Sequence, residues 1–382
     1  MRTVAVVTSS RADWSSSRVV ARAIDDDPEL QLRLLVTGQH LAPDFGNTVD
    51  DVEADGFAPE ERIPGFAGAT AEGAARSVAL VAEGLAASFA RERPDLVLVV
   101  GDRLELLGVA AAALPFLIPV AHVSGGDATG GAIDDVVRHA LTKLAHLHFV
   151  ALEEHAERLI AMGEEKSRIT VSGDPALDAV AGPWPPLEEL APELGVEPRR
   201  PVVAVGFHPS TLGGGSPADE TEALLAALGS VDGTFVFTYP GADAGAAAVI
   251  ERIEAFAAQQ PNAVVHASLG QQRYYALLAV VDALVGNSSS GIWESASFRL
   301  PVVNVGDRQR GRLRPANVLD APAEAEAIRA ALARALAPSF RAELDGLVNP
   351  YGDGHAAERI VRVLREVDLG ERLLAKWDGG TG

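Results

Sequence analysis

The sequence predicts an α/β protein made of two doubly wound, Rossmann-like domains with parallel sheets. Three observations lead there. Short, continuously apolar runs alternate with longer alanine-rich stretches of helical character. The alternation halts at Gly182-Pro183-Trp184-Pro185-Pro186 and then begins again. The chain has 382 residues, 48 % of them hydrophobic, enough for two cores. Apolar strands that do not alternate with polar residues, each followed by a helix, describe parallel sheets covered on both faces.

The first domain is expected over residues 1–182. Its strands read as Thr3–Val7, Leu32–Thr37, Leu96–Val100, Val120–Val123, His148–Ala151 and Ile169–Val171. Helical stretches lie at Thr70–Arg91, Leu104–Phe116 and Asp134–Ala145. The proline-rich linker opens the second domain, 183–354, with strands at Pro201–Gly206, Thr234–Thr238, Ala263–His266, Ala283–Val285 and Pro301–Val305 and a helix at Glu222–Leu228. Residues 355–382 form a helix and tail. His355–Trp377 reads as one helical stretch placed to pack back across the first domain. Two such domains joined by a hinge would face each other across a cleft, with a ligand at the strand carboxyl ends.

Composition narrows the function classes. The net charge is −21, from 53 acidic and 32 basic residues, which argues against a nucleic-acid partner. No apolar run approaches the ~20 residues of a membrane span, and the chain opens directly on a strand without a secretory leader. The absence of cysteine removes disulfides, thiolate metal sites and cysteine nucleophiles. A cytoplasmic protein is the expectation. The histidines at 139, 146 and 148 follow helix or strand spacing rather than a metal-ligand pattern, so they read as structural and no metal is expected. Neither a Gly-x-Gly-x-x-Gly after the first strand nor a Walker-type loop is present, and no cofactor is expected.

The most informative run is Gly286-Asn287-Ser288-Ser289-Ser290-Gly291-Ile292-Trp293-Glu294. It reads as a buried strand opening into a serine-rich turn at a helix start, which offers N–H groups and hydroxyls to an anion. Four arginines (308, 310, 312 and 314) follow the next strand and could clamp the same anion. A diphosphate suits this layout, and Glu294 could accept hydrogen bonds from ribose hydroxyls. An ordinary capped helix followed by a solvated basic loop is the alternative. Polar clusters also follow the other strands: Thr8–Asp13, Thr37-Gly38-Gln39-His40, Gly101-Asp102-Arg103, Ser124-Gly125-Gly126-Asp127 and Phe207-His208-Pro209-Ser210-Thr211. Each alone is weak. Their common position at strand ends is the signal.

Taken with Val36–Leu41, Phe45-Gly46-Asn47-Thr48, Gly101–Glu105, Gly131-Ala132-Ile133-Asp134-Asp135 and Arg138-His139, these motifs resemble the UDP-N-acetylglucosamine 2-epimerases. Within that family they are most similar to the hydrolysing branch, which forms N-acetylmannosamine and UDP. The resemblance runs from the first strand to about residue 320. It implies a fold of the GT-B glycosyltransferase type with UDP held mainly by the second domain, and an oligomer, dimeric or tetrameric. It also implies anti elimination of UDP to a 2-acetamidoglucal, followed by addition of water.

Carried over residue by residue, Asp102, Asp127, Asp134 and His208 fall on catalytic positions. Arg11, His40, Ser288, Ser289, Ser290, Gly291, Glu294, Arg308 and Arg312 fall on substrate-binding ones. Helix capping is the alternative role for Asp102 and Asp134, and a structural one for His208. One departure stands out: hydrolysing epimerases usually carry His-Gly-Gly-Glu where this chain has Ser124-Gly125-Gly126-Asp127. Aspartate shortens the reach by roughly 1.5 Å, a displacement that can cost about 100-fold in rate unless something compensates. An altered sugar, a changed balance between water addition and UDP return, or another proton carrier would each account for it. A non-hydrolysing epimerase, a glycosyltransferase on the same architecture, and a non-catalytic nucleotide-sugar sensor are the competing readings.

Overall fold

The computed structural model describes residues 1–43, 46–68, 70–128, 133–209, 216–240 and 245–376. Phe45, Gly131, Ala132, Ser210, Thr211 and Trp377, named above, lie outside these. The chain separates into two compact units: Met1–Asp127 with Ile133–Ala179 and the chain from Tyr351 onward, and Val180–Pro350 with Ala128.

In the first unit the strands are β1 (Arg2–Thr8), β2 (Leu30–Val36), β3 (Glu61–Arg62), β4 (Leu96–Val100), β5 (Val120–Val123), β6 (Leu147–Val150) and β7 (Ile169–Val171). They form one parallel sheet in the order β3-β2-β1-β4-β5-β6-β7. Successive residues of β1 serve opposite faces. Val4 and Val6 pack with helix Arg11–Asp25 and with Ile360 and Leu364 of helix Ala356–Glu366. Ala5 and Val7 pack with helices Ala71–Arg91 and Leu106–Ala113. Burial on both faces is why these strands read as unbroken apolar runs.

The second unit holds β8 (Val202–Gly206), β9 (Thr234–Thr238), β10 (Ala263–His266), β11 (Ala283–Gly286), β12 (Val302–Val305) and β13 (Val318–Ala321). These form a second parallel sheet, ordered β10-β9-β8-β11-β12-β13. Helices Pro217–Leu228, Ala246–Ala257 and Ala325–Ala335 cover one face. Each sheet reverses its strand order once, between β1 and β4 and between β8 and β11. In open α/β sheets the ligand crevice lies at the carboxyl ends of such a pair.

Three differences from the sequence expectation have local causes. The helix expected from Glu222 begins at Pro217, where proline lacks only a donor that a first turn leaves unused and the Ser216 hydroxyl accepts the Asp219 N–H at 3.4 Å. The C-terminal stretch is two helices, Ala356–Glu366 and Glu371–Ala375, interrupted by Val367–Gly370. The first is capped from outside its own sequence, because the Asp178 carboxylate accepts the N–H groups of Ala356 (2.9 Å) and Ala357 (2.7 Å). The second is held by Arg168, which donates to the carbonyls of Leu373 and Arg372 at 2.6 and 2.7 Å. Finally, β3 and β13 were absent from the expectation. Both are edge strands, and β3 consists of two charged residues.

Candidate active site

In the first unit the turn after β1 is held rigid by a buried carboxylate. Asp13 accepts the N–H of Ser9 and of Ser10, both at 2.7 Å, and the Ser10 hydroxyl at 2.8 Å. Burial pushes its carboxyl up, against those hydrogen bonds. Arg11 stands exposed at the first turn of the helix. His40 is placed differently from the sequence expectation of a group facing substrate. It is fully buried, with Nε2 3.0 Å from Thr8 Oγ1 and Nδ1 2.8 Å from Thr48 Oγ1. Burial lowers its pKa to about 4, so it is a neutral tie between the ends of β1 and β2.

The carboxylates converge on a cation that the sequence reading quoted but gave no role. Arg138, on helix Ile133–Leu144, is almost wholly buried. One terminal nitrogen donates to Asp102, just beyond β4. The other donates to Asp135 and, at 2.9 Å, to the carbonyl oxygen of Asp127. Asp134 is half-buried beside them. Burial first, and the Asp102 charge second, raise its pKa above the ordinary aspartate value, with Arg138 opposing. Asp102, Asp127 and Asp134 are thus three carboxyl groups around one guanidinium, in unequal surroundings. Unequal surroundings are what separate an acid from a base.

Backbone shape makes the cluster possible. Gly101 has φ +87° and Gly126 φ +77°, both in the left-handed region. A Cβ on Gly126 would lie 2.5 Å from the His155 carbonyl oxygen. Ser124 also has positive φ, 72°. His122 links the two loops, with Nε2 2.8 Å from the Gly101 carbonyl, and burial lowers its pKa to about 3.

In the second unit the ends of β8 and β11 meet so closely that a Cβ on Gly286 (φ +137°) would collide with the Gly206 carbonyl oxygen. The next residue clamps the neighbouring loop. Asn287 accepts the His208 N–H at 2.7 Å through Oδ1 and donates from Nδ2 to the His208 carbonyl at 2.8 Å. His208 is therefore fixed in place, and burial followed by the nearby Arg308 charge lowers its pKa to about 4. Near neutrality it is an uncharged donor and acceptor.

The serine run forms only a single helical turn, Ser290–Trp293. The helix dipole invoked from the sequence is correspondingly small, and local donors matter more. Ser289 N–H has no acceptor among the described residues, and Ser290 N–H reaches only the Ser288 hydroxyl at 3.4 Å. Gly291 is buried against Val302. Tyr274, which the sequence reading missed, lies near Ser288, Ser290 and the Glu294 charge; burial pushes the phenol up.

The four arginines are sorted by the fold. Arg308 donates to the Asn287 carbonyl at 3.0 Å, beside Gln309 Nε2 at 2.8 Å. Arg312 donates to Gln309 Oε1 at 2.7 Å and lies over the Trp293 ring at 5.5 Å. Arg314 is spent on Asp320 at 3.0 Å, and Arg310 is exposed. Among the described residues no group of three or more His, Asp or Glu could hold a metal ion, and no helix is long and apolar enough to cross a membrane.

Comparison with known proteins adds sequence and fold similarity over most of the chain. The UDP-N-acetylglucosamine 2-epimerase family profile matches residues 22–365. The UDP-N,N'-diacetylbacillosamine 2-epimerase (hydrolyzing) of Legionella pneumophila is 34% identical over 98% of this chain and 99% of its own. The GDP/UDP-N,N'-diacetylbacillosamine 2-epimerase (hydrolyzing) of Campylobacter jejuni is 34% identical over 84% of each chain. Among solved structures, the UDP-GlcNAc 2-epimerase of Neisseria meningitidis bound to UDP-GlcNAc superposes with a TM-score of 0.78 at 17% identity, over 95% of this chain and 99% of that one.

Proposed function

The chain belongs to the UDP-N-acetylglucosamine 2-epimerase family, and from that premise we propose that it converts UDP-N-acetylglucosamine and water into N-acetylmannosamine and UDP. The observation that carries the chemistry is the Arg138 hub, which holds Asp102 and the Asp127 backbone beside the half-buried Asp134.

Carbon 2 of the sugar has no adjacent carbonyl, so its proton can leave only as the bond from carbon 1 to UDP breaks. The C2–H electron pair becomes the C1=C2 bond, and the C1–O pair departs with UDP. Water then supplies oxygen to carbon 1 while a proton returns to carbon 2 on the opposite face. Asp102, paired with Arg138, suits the base, and Asp134, pushed toward its protonated form, suits the returning acid. Such groups each contribute typically about 10²–10⁴-fold. Ser289, Ser290, Arg308 and Arg312 would hold the diphosphate, while uncharged His208 donates a hydrogen bond to it. Glu294 would accept from the ribose.

A second reading concerns the sugar. Both 34%-identical relatives are named for diacetylbacillosamine, and Ser124 with Asp127 departs from the motif usual in hydrolysing epimerases. The family's commonly oligomeric state and a cytoplasmic location complete the proposal. The test is parallel incubation with UDP-N-acetylglucosamine and UDP-N,N'-diacetylbacillosamine, quantifying UDP and the free sugar. Equimolar UDP and N-acetylmannosamine from the first supports the proposal. Turnover of the second alone establishes the other sugar, and a UDP-linked epimer without free UDP contradicts hydrolysis.

A further inference from the structure

In the hydrolysing enzymes that this chain resembles, the motif after the fourth central strand usually opens with a histidine, and here that position is Ser124. The fold brings an imidazole to the same carboxylate from elsewhere. His155, near the start of helix Glu153–Ala161 after β6, places Nε2 3.8 Å from Asp127 Oδ1, with the two side chains 3 % and 6 % exposed. The approach is built into the backbone. Gly126 has no Cβ to strike the His155 carbonyl, and Arg158 of the same helix donates to the Gly126 carbonyl oxygen. The loop bearing Asp127 is thereby tied to the helix bearing His155.

Among the described residues, charged groups near the pair come from three elements. Glu154 Oε1 lies 3.9 Å from the same Nε2 but is 45% exposed, so water screens it. Arg138 donates to the Asp127 carbonyl oxygen from helix Ile133–Leu144. Asp174, beyond β7, repels a charge on Asp127; its own carboxyl is anchored through Oδ1 by Ala176 N–H (2.8 Å) and the Ser16 hydroxyl (3.4 Å). With a carboxylate on one side, Asp127 gains from a hydrogen-bond donor on the other.

We propose that His155 is a positioning residue for the reaction: its imidazole orients the Asp127 carboxylate, replacing the imidazole that the sequence lacks at position 124. At 3.8 Å the contact is longer than a hydrogen bond in this structure; catalytic contacts of this kind commonly shorten once substrate is bound. The proposal rests on the epimerase reading and adds to it a residue that acts through another.

A double-mutant cycle tests it. His155→Gln lowers kcat about 10- to 100-fold, the range expected when a supporting group lets a reacting one drift, and leaves KM within about twofold. Asp127→Asn lowers kcat at least as far, and the double variant equals Asp127→Asn alone. Unchanged kcat in His155→Gln, or losses that multiply in the double variant, would overturn the proposal. A second measurement needs no turnover. The His155 imidazole, followed by NMR titration, drops in pKa by about one unit or more in Asp127→Asn if the two are coupled. An unmoved titration overturns the proposal even where a variant melts early. Absence of turnover in the unsubstituted protein counts against the epimerase reading instead, and leaves the titration standing as the test of the contact.

Discussion

Replacing Arg138 with Met should cost both stability and turnover, by amounts that the structure bounds. The guanidinium is 2% exposed and donates to Asp102, Asp135 and the Asp127 carbonyl. Removing one side of a buried ion pair typically costs about 3–5 kcal/mol, because the other charge stays behind unpaired. Asp102 and Asp135 are 30% and 24% exposed, so water recovers part of that loss and the lower end, about 3 kcal/mol, applies. For a domain of this size that is roughly 6–12 °C in melting temperature. The carboxylates also lose their shared counter-charge, and the Asp134 pKa, already raised, climbs further. We expect kcat to fall at least about 100-fold, and the pH optimum to move upward. Arg138→Lys should recover part of the stability and little of the rate, since one ammonium cannot reproduce the fork. Thermal melts together with UDP release between about pH 6 and 9 measure both effects. An Arg138→Met protein melting within about 2 °C of the original and turning over within about threefold would refute the reasoning, since the predicted losses are several times larger.

Three other predictions follow from single features. Gly286→Ala puts a methyl group against the Gly206 carbonyl and should lower the melting temperature by about 10 °C while abolishing UDP binding; calorimetric titration with UDP checks it, and native affinity would contradict it. Glu164 is buried between Lys143 (2.7 Å), Lys376 (2.8 Å) and His148 (3.0 Å). Burial raises its pKa, but those partners outweigh burial and hold the carboxyl below the ordinary range. Its stabilisation is therefore present above the usual glutamate pKa and lost as pH falls; Glu164→Gln should cost about 3 kcal/mol and speed proteolysis near Lys376, which limited digestion would show. Burial holds His40, His146 and His208 at about 4 and His122 at about 3. The unfolded chain binds these protons first, so stability should fall as pH drops below about 6.5. Asp174, raised by burial to about 6, binds a proton in the folded state and offsets one of them. Asp13, Asp134 and Asp178 are raised by burial as well and offset part of the loss, while His148, lowered by burial, adds to it; the histidines titrate at the higher pH, so the fall sets in first between pH 7 and 6. Urea denaturation at pH 7, 6 and 5 measures that fall, and a flat profile would contradict it.

How much of this was legible in the sequence depends on whether the cause was local. Strands such as Leu96–Val100 and Ala283–Gly286 announce themselves because both faces are buried. Glu61–Arg62 does not: it is an edge strand of two charged residues, Glu61 pairing with Arg33, 28 residues away, and Arg62 with Glu53, 9 residues away. The C-terminal helix takes its cap from Asp178, which no reading of residues 355–377 alone could supply. At the candidate site, strand-end position draws attention to Asp102, His208 and the serine turn, and the family resemblance adds Asp134. The roles of Arg138, Asn287 and His155 depend on partners brought together by the fold. His40 shows the converse. Its motif suggested contact with substrate, and both ring nitrogens are instead engaged by threonine hydroxyls in the interior.

The measurement that bears most directly on the central claim is proton NMR of UDP-N-acetylglucosamine incubated with the protein in deuterated water. Elimination followed by addition of water predicts free N-acetylmannosamine carrying deuterium at carbon 2, with UDP released in equal amount. A product that keeps its original hydrogen at carbon 2 would contradict the account, because no base could then have removed it.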